Sequence, residues 1–277
     1  MVGSKKIGQI VAIIILVLCS IVFLLPIFYL FINSFKSMEE IMRSFIALPT
    51  SWTLDNYINA WKQIDYPKIF LNTLFLTVGS VVITVLFSSL AGYKLQRTKG
   101  RLSQFLKIFF AFGMLIPFTV IMVPMSQLFN TMGITNNLPA LLFVYAAIYM
   151  PMMISIYIGY CKGLPVELDE AAMIDGCNQF QVFTKIILPL SKPILVTIAV
   201  LSAVSTWNDL VVELIAVDAS PLMNITRRVN NFIGVTNSTQ WDFFTAAVAL
   251  SMIPIIILYA VLQKQIQKSI TAGAVKG

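Results

Sequence analysis

Six long apolar runs alternate with shorter polar connections along this chain, at about residues 7–32, 70–95, 105–129, 138–161, 194–217 and 243–266. A helix needs about 20 mostly apolar residues to cross a bilayer core. Each run reaches that length, so the pattern predicts an all-α, polytopic membrane helix bundle with six transmembrane helices. The connections leave no room for a separate soluble domain, and residues 1–277 read as one unit. Lys5 and Lys6 precede the first run. That run is longer than the apolar region of a cleaved signal, about 7 to 15 residues, and is expected to stay as an anchor.

Composition agrees with the pattern. The chain is 58% hydrophobic and 11% charged, against about 25% charged in soluble domains. The net charge of +7 forms no continuous patch of the kind that binds nucleic acid. Instead, Lys and Arg gather in alternate connections, which is a topology signal. With the amino terminus inside, the inside segments hold 13 of the 19 Lys and Arg. Both termini are therefore expected in the cytoplasm.

Histidine is absent, which excludes imidazole catalysis and His-ligated metals. Cys19, Cys161 and Cys177 have neither disulfide-framework nor zinc spacing, so no metal site or cofactor is expected. No Gly-x-x-x-x-Gly-Lys phosphate loop occurs. The chain is not expected to be an enzyme, and any ATP must be hydrolysed on another subunit.

The third run contains Gly113, Pro117 and Pro124, and the fourth contains Pro151. Proline removes a helix hydrogen bond and kinks the chain, so kinked central helices are expected. The outer connection 33–69, with Trp52 and Trp61, reads as a structured cap whose aromatics mark the membrane surface, or as a docking face for an external protein.

The longest inner connection, 162–193, is polar and ordered in its chemistry. Gly163 and Pro165 break the preceding helix and start another. Glu167, Asp169 and Glu170 fall in its first turns, where the helix dipole favours carboxylates. Gly176 stands where the helix ends or where another surface can come close. The expected product is a short helix along the membrane, presenting small side chains to a partner protein.

The residues of this stretch carry a resemblance. Glu170-Ala171-Ala172, three residues, Gly176, nine residues, Ile186, one residue and Leu188-Pro189 resemble the motif of permease subunits of binding-protein-dependent ABC importers. In that family the loop holds the coupling helix, seated in a cleft of the ATPase subunit. The resemblance implies that Glu170 contacts the ATPase, that Ala171, Ala172 and Gly176 permit close packing, and that Ile186, Leu188 and Pro189 fix the return path.

The tail at 267–277 ends in Thr271-Ala272-Gly273-Ala274-Val275-Lys276-Gly277. It resembles the carboxyl termini of the maltose-type, carbohydrate-uptake subclass, which implies that Gly273 and Lys276 reach the ATPase subunits. The implied partners are a second permease subunit, two ATP-binding cassette ATPases and an extracytoplasmic solute-binding protein. The implied cargo is a sugar, in a bacterial or archaeal cell membrane. A non-sugar solute, or an ion-coupled secondary transporter, is the alternative.

Trp207-Asn208-Asp209 in the fifth run also resembles that subclass. Tyr145, Tyr149, Trp207, Asn208 and Asp209 are the candidates for lining a sugar passage, against a plainer reading as packing and helix-end groups. Glu213, four residues beyond Asp209, departs from the subclass and would share its helix face. At about 1.5 Å per residue, Asp209 and Glu213 would lie roughly 12 and 6 Å from the outer end of a continuous helix, within reach of water.

Overall fold

The structure is a computed structural model that describes residues 2–233 and 239–274, with side chains described over 8–219, 221–233, 239–261 and at 263. No strand occurs among the described residues. Four helices are long and apolar enough to cross a membrane: Gly8–Asn33, Tyr66–Arg97, Leu138–Lys162 and Trp241–Val261. Two further crossings exist if each of two bent helix pairs counts as one span. The chain divides into two compact units, one of Met1–Tyr66 with Arg228–Ile253 and one of Pro67–Arg227 with Pro254–Gly277.

The first unit opens with α1 (Val2–Asn33). None of its most apolar window is buried, and Leu16, Val22 and Phe23 are among its exposed side chains, which suits a helix solvated by lipid. A folded cap follows, with α2 (Met38–Arg43) and α3 (Asp55–Ile64). Ser37 and Glu40 close a capping box on α2, satisfying two otherwise orphaned N–H groups. Buried Lys36 donates to Asn33 Oδ1 at 3.0 Å and to the carbonyl of Ser44 at 3.1 Å. Asn56 donates to the carbonyls of Ser34 and Lys36, and the Trp61 and Tyr66 rings stack at 4.4 Å. The expected structured cap is present.

The second unit holds most of α4 (Tyr66–Arg97), then α5 (Arg101–Gly113), α6 (Phe118–Thr131) and α7 (Leu138–Lys162). At 32 residues α4 is about 48 Å long, well over the roughly 30 Å hydrocarbon core. The third apolar run does not kink within one helix. It splits into α5 and α6 at 98°, because residues 114–117 leave helical geometry and extended Pro117 starts α6. Pro124 and Pro151 stay inside helices.

The fifth run also departs from expectation. Its helix α11 (Lys192–Trp207) has 16 residues, and a separate helix, α12 (Val211–Ala216), follows the break at 208–210. On the other side, helical residues 179–190 meet α11 at 78°. One uninterrupted helix over 194–217 is therefore replaced by two pieces, α11 and α12. Later come α13 (Ile225–Asn230) and α14 (Trp241–Ala274).

Two apolar clusters form the core of this unit. Leu76, Phe129, Leu141, Tyr145, Val212 and Met223 belong to one, where α12 packs on α6. Met153, Tyr157, Ala172, Phe183, Ile187 and Ile198 belong to the other, where α7 and α11 meet the polar insert. Helix α4 approaches α7 closely through Gly79 and Gly92: a Cβ at Gly92 would stand 2.9 Å from the Tyr157 ring.

Candidate functional site: the polar insert and the broken helix

The polar insert folds as α8 (Glu167–Ile174), α9 (Gln179–Gln181), a π-helical turn (Val182–Ile187) and α10 (Leu188–Leu190). Acidic residues occupy the first turn of α8, as the dipole favours. Its carboxyl end is a Schellman closure. Cys177 N–H donates to the Ala172 carbonyl at 3.0 Å and Gly176 N–H to the Met173 carbonyl at 3.1 Å, with Gly176 at φ +87°. Only glycine takes that conformation without strain. Nothing lies within 4 Å of a Cβ built there, so conformation alone accounts for the glycine.

Eight residues make a helix too short to stand alone, and buried contacts hold it. Ala172 enters the apolar cluster under α7. Asp169, 5% exposed, accepts from the Tyr93 hydroxyl at 2.5 Å on one oxygen. Its other oxygen pairs with Arg97 Nη2 at 2.8 Å. The same guanidinium donates to the carbonyls of Leu164 and Pro165, each at 3.2 Å. A cleft of about 190 Å³ beside this group is lined by Lys94, Arg97, Glu170, Met173 and Gln179, among others.

On the outward side of α8, Glu170, Ala171, Met173 and Ile174 are exposed, Ile174 at 85%. The motif residues thus divide. Glu170, Ala171 and Gly176 face outward, while Ala172 turns into the protein's own core, so its small size answers to α7 and not to a partner surface. In the return path Ile186 and Leu188 are half-buried and Pro189 is exposed. The neighbour Ile187 is fully buried, and Ile186 and Leu188 pack against the same apolar cluster. Tyr157 donates to Ser191 Oγ at 3.0 Å and Tyr160 to the Leu190 carbonyl at 2.7 Å, tying α7 to the bend that starts α11. Gly273 lies in α14, and Lys276 lies outside the described residues.

The second group of candidates sits at the break between α11 and α12. Asp209 Oδ2 accepts the Val212 N–H at 3.0 Å and the Glu213 N–H at 3.4 Å, which is a helix cap. The Tyr145 hydroxyl donates to the same oxygen at 3.1 Å. Tyr145 is fully buried and stacks with half-buried Tyr149. Trp207, 5% exposed, packs edge-on against Phe70. Asn208 is exposed and its amide donates to the Val204 carbonyl at 2.9 Å.

Glu213 does not reach water. It is 0% exposed, one oxygen accepting the Asn224 N–H at 3.4 Å and the other having no hydrogen-bond partner. The continuous helix that would have stacked it over Asp209 is interrupted, and α12 lies against α6. A cleft of about 680 Å³ between α5–α6 and α7 is lined by groups such as Phe118, Met125, Phe143 and Ile148. Such a lining offers almost nothing to hydrogen-bond a polar solute.

Sequence reasoning missed Tyr93 and Arg97. Arg97 counted only as one charge among several near the end of an apolar run. The one available signal was the i, i+4 spacing of two donors on α4, and nothing local links them to a carboxylate about 70 residues later.

The described residues are all-α, with several apolar helices of membrane length and a buttressed polar insert between them, which is the architecture of a multi-pass membrane protein. The match of residues 84–272 to the model of the binding-protein-dependent transport system inner membrane component places it more closely: the chain belongs to that family. AmyC of Thermoanaerobacterium thermosulfurigenes, described as a probable starch degradation products transport system permease protein, is 33% identical over 94% of both chains. The multiple sugar-binding transport system permease protein MsmG of Streptococcus mutans is 31% identical over 99% of both. A crystal structure of a bacterial ABC transporter involved in import of the acidic polysaccharide alginate matches with a TM-score of 0.78 and 27% identity. That match covers 94% of this chain and 97% of the other.

Proposed function

We propose that this chain is one transmembrane permease subunit of an ATP-driven ABC importer that takes up a sugar, an oligosaccharide by the names of its relatives. It would work with a second permease subunit, two ATPase subunits and an extracytoplasmic binding protein. The six apolar runs give six spans in this reading, and the distribution of Lys and Arg puts both termini in the cytoplasm. The chain itself hydrolyses nothing, and the ATPase subunits supply the energy.

The observation that carries the reading is the two-sided character of α8. Its inner face is fixed by Asp169 and Ala172, while Glu170, Ala171, Met173 and Ile174 stand exposed and available to an ATPase cleft. In this reading, closure of the ATPase pair moves α8, the movement enters the bundle, and the passage opens outward to receive sugar from the binding protein. By its resemblance to the maltose-type termini, the tail with Gly273 and Lys276 is assigned to contact with the ATPase subunits. Of the five passage candidates, Asn208 and Tyr149 have accessible side chains for sugar hydroxyls and ring faces. Asp209 is half-buried like Tyr149 and also caps α12, whereas Tyr145 and Trp207 are buried in packing contacts.

The test is co-purification followed by uptake in proteoliposomes. The chain should bring down an ATPase, and Gly176→Arg, which forces a large charged side chain into a left-handed position on the outward surface, should abolish ATP-dependent sugar uptake. Unchanged ATPase association and uptake in that variant rejects the assignment. Uptake that persists without ATP and stops when the ion gradient is dissipated would favour a secondary transporter.

A further inference from the structure

Helix α8 itself touches the rest of the unit through two kinds of contact, which differ mechanically, while beyond it Lys94 of α4 donates to Gln179 at 2.9 Å and Tyr160 of α7 to the Leu190 carbonyl. Ala172 and its apolar neighbours form a non-directional contact, over which a short helix can slip or roll. The contact at Asp169 is directional. Its two carboxylate oxygens have separate partners. One accepts from the Tyr93 hydroxyl, while the other, which accepts no hydrogen bond, is ion-paired with the Arg97 guanidinium at 2.8 Å. The two partners lie one turn apart on α4. Arg97 also fastens the carbonyls of Leu164 and Pro165, so the segment from 164 to 169 is pinned to a single side chain.

The side chains of Arg97 and Asp169 are only 15% and 7% exposed. Separating them would leave two poorly solvated charges unpaired, which is far costlier than parting a surface pair, so the contact resists opening under load. The route from α8 to α11 is softer. Along the chain it passes the left-handed turn at Gly176 and the non-helical residues 177 and 178 before helix resumes at Gln179.

We propose that Tyr93, Arg97 and Asp169 form the joint through which displacement of α8 enters the membrane-spanning part, making α4 a directly driven helix. The proposal rests on the reading of α8 as the ATPase-facing helix. All three are positioning residues. They touch neither sugar nor nucleotide, and they act by keeping α8 and the end of α4 moving as one body. The motif that marks the insert does not point to this: it leads along the chain into α11, whereas the joint leads across to α4.

The test uses the complete complex, with ATPase and binding protein, in proteoliposomes, and reads sugar molecules imported per ATP hydrolysed. Asp169→Asn is nearly isosteric and Arg97→Gln keeps a planar donor. Each single variant should retain the ATPase in the complex and lose at least tenfold in the coupling ratio. The double variant Arg97→Gln with Asp169→Asn leaves no unpaired charge and should recover at least threefold over either single variant. A role in folding alone would change the yield of complex and leave the ratio per complex intact.

Three results overturn the proposal: a ratio within twofold of the starting protein in Asp169→Asn, loss of the ATPase from either single variant, or a double variant no better than the singles. Failure of the underlying reading would be separate and visible in the unmodified chain, which would then retain no ATPase at all.

Discussion

The Tyr145 hydroxyl donates to Asp209 Oδ2 at 3.1 Å, and that same oxygen caps α12. A residue of α7 thereby fixes the point where the fifth apolar run stops being one helix. Asn is as good a cap as Asp, so Asp209→Asn should change stability by less than about 0.5 kcal/mol, and sugar uptake should stay within twofold. Asp209→Ala removes the cap and strands a buried hydroxyl, at a cost of about 2 to 3 kcal/mol. Thermal unfolding in detergent, paired with uptake assays, checks both. A sharp loss of uptake in a stable Asp209→Asn protein would assign the carboxylate to the passage.

Gly176 is required by its backbone angle and not by crowding. Asparagine enters the left-handed region more readily than alanine. Gly176→Asn should therefore keep more ATP-dependent uptake than Gly176→Ala, which is expected to lose about 1 kcal/mol of local stability. Equal uptake by the two variants, or better uptake by the alanine variant, contradicts the conformational account.

Two glycines of α4 give a second contrast. A Cβ at Gly79 would meet the tip of Leu142 at 2.7 Å, whereas at Gly92 it would meet the Tyr157 ring at 2.9 Å and the Ile154 carbonyl at 3.3 Å. A leucine tip can turn aside, but a ring bonded to Ser191 and a main-chain oxygen cannot. Gly92→Ala should cost about 1 to 3 kcal/mol, in the range of overpacked cores, and Gly79→Ala clearly less. Melting temperatures of the two variants decide.

Helices α4 and α11 face each other through buried hydroxyls. Ser80 and Thr206 bond at 3.2 Å, while Thr77, Thr84 and Ser202 have buried oxygens with no hydrogen-bond partner. Removing an unpaired buried hydroxyl relieves a desolvation penalty. Thr84→Val and Ser202→Ala should leave the melting temperature unchanged or raise it, whereas Ser80→Ala should lower it by an amount equivalent to about 1 kcal/mol. A loss in Thr84→Val as large as in Ser80→Ala would mean that the Thr84 hydroxyl does have a partner.

Much of this was legible in the chain itself. Apolar runs of membrane length identify themselves, because a bilayer rewards length and apolarity whatever the neighbours are. The insert stood out because helix-starting, acidic and terminating residues occur there in order, and Gly176 ends α8 as a C′ glycine should. The outward and inward sides of α8 were not legible. Ala171 and Ala172 look alike in sequence, and which of them is buried depends on where α7 passes. The break at Asn208 was misread for a related reason: Asp209 and Glu213 four apart suit a continuous helix, and only the cap taken by Asp209 and the burial of Glu213 reveal two helices.

The sequence by itself determined that the chain is an all-helical membrane protein, roughly where its helices run, and which polar segment lies between them. Those properties follow from local composition and from motif residues close together in the chain. Tertiary structure alone decided that Arg97 and Tyr93 grip Asp169, that Ile187 is buried more deeply than Ile186, and that Glu213 is sealed from water. Each depends on residues brought together from distant helices, and the low dielectric of the packed interior makes those pairings matter.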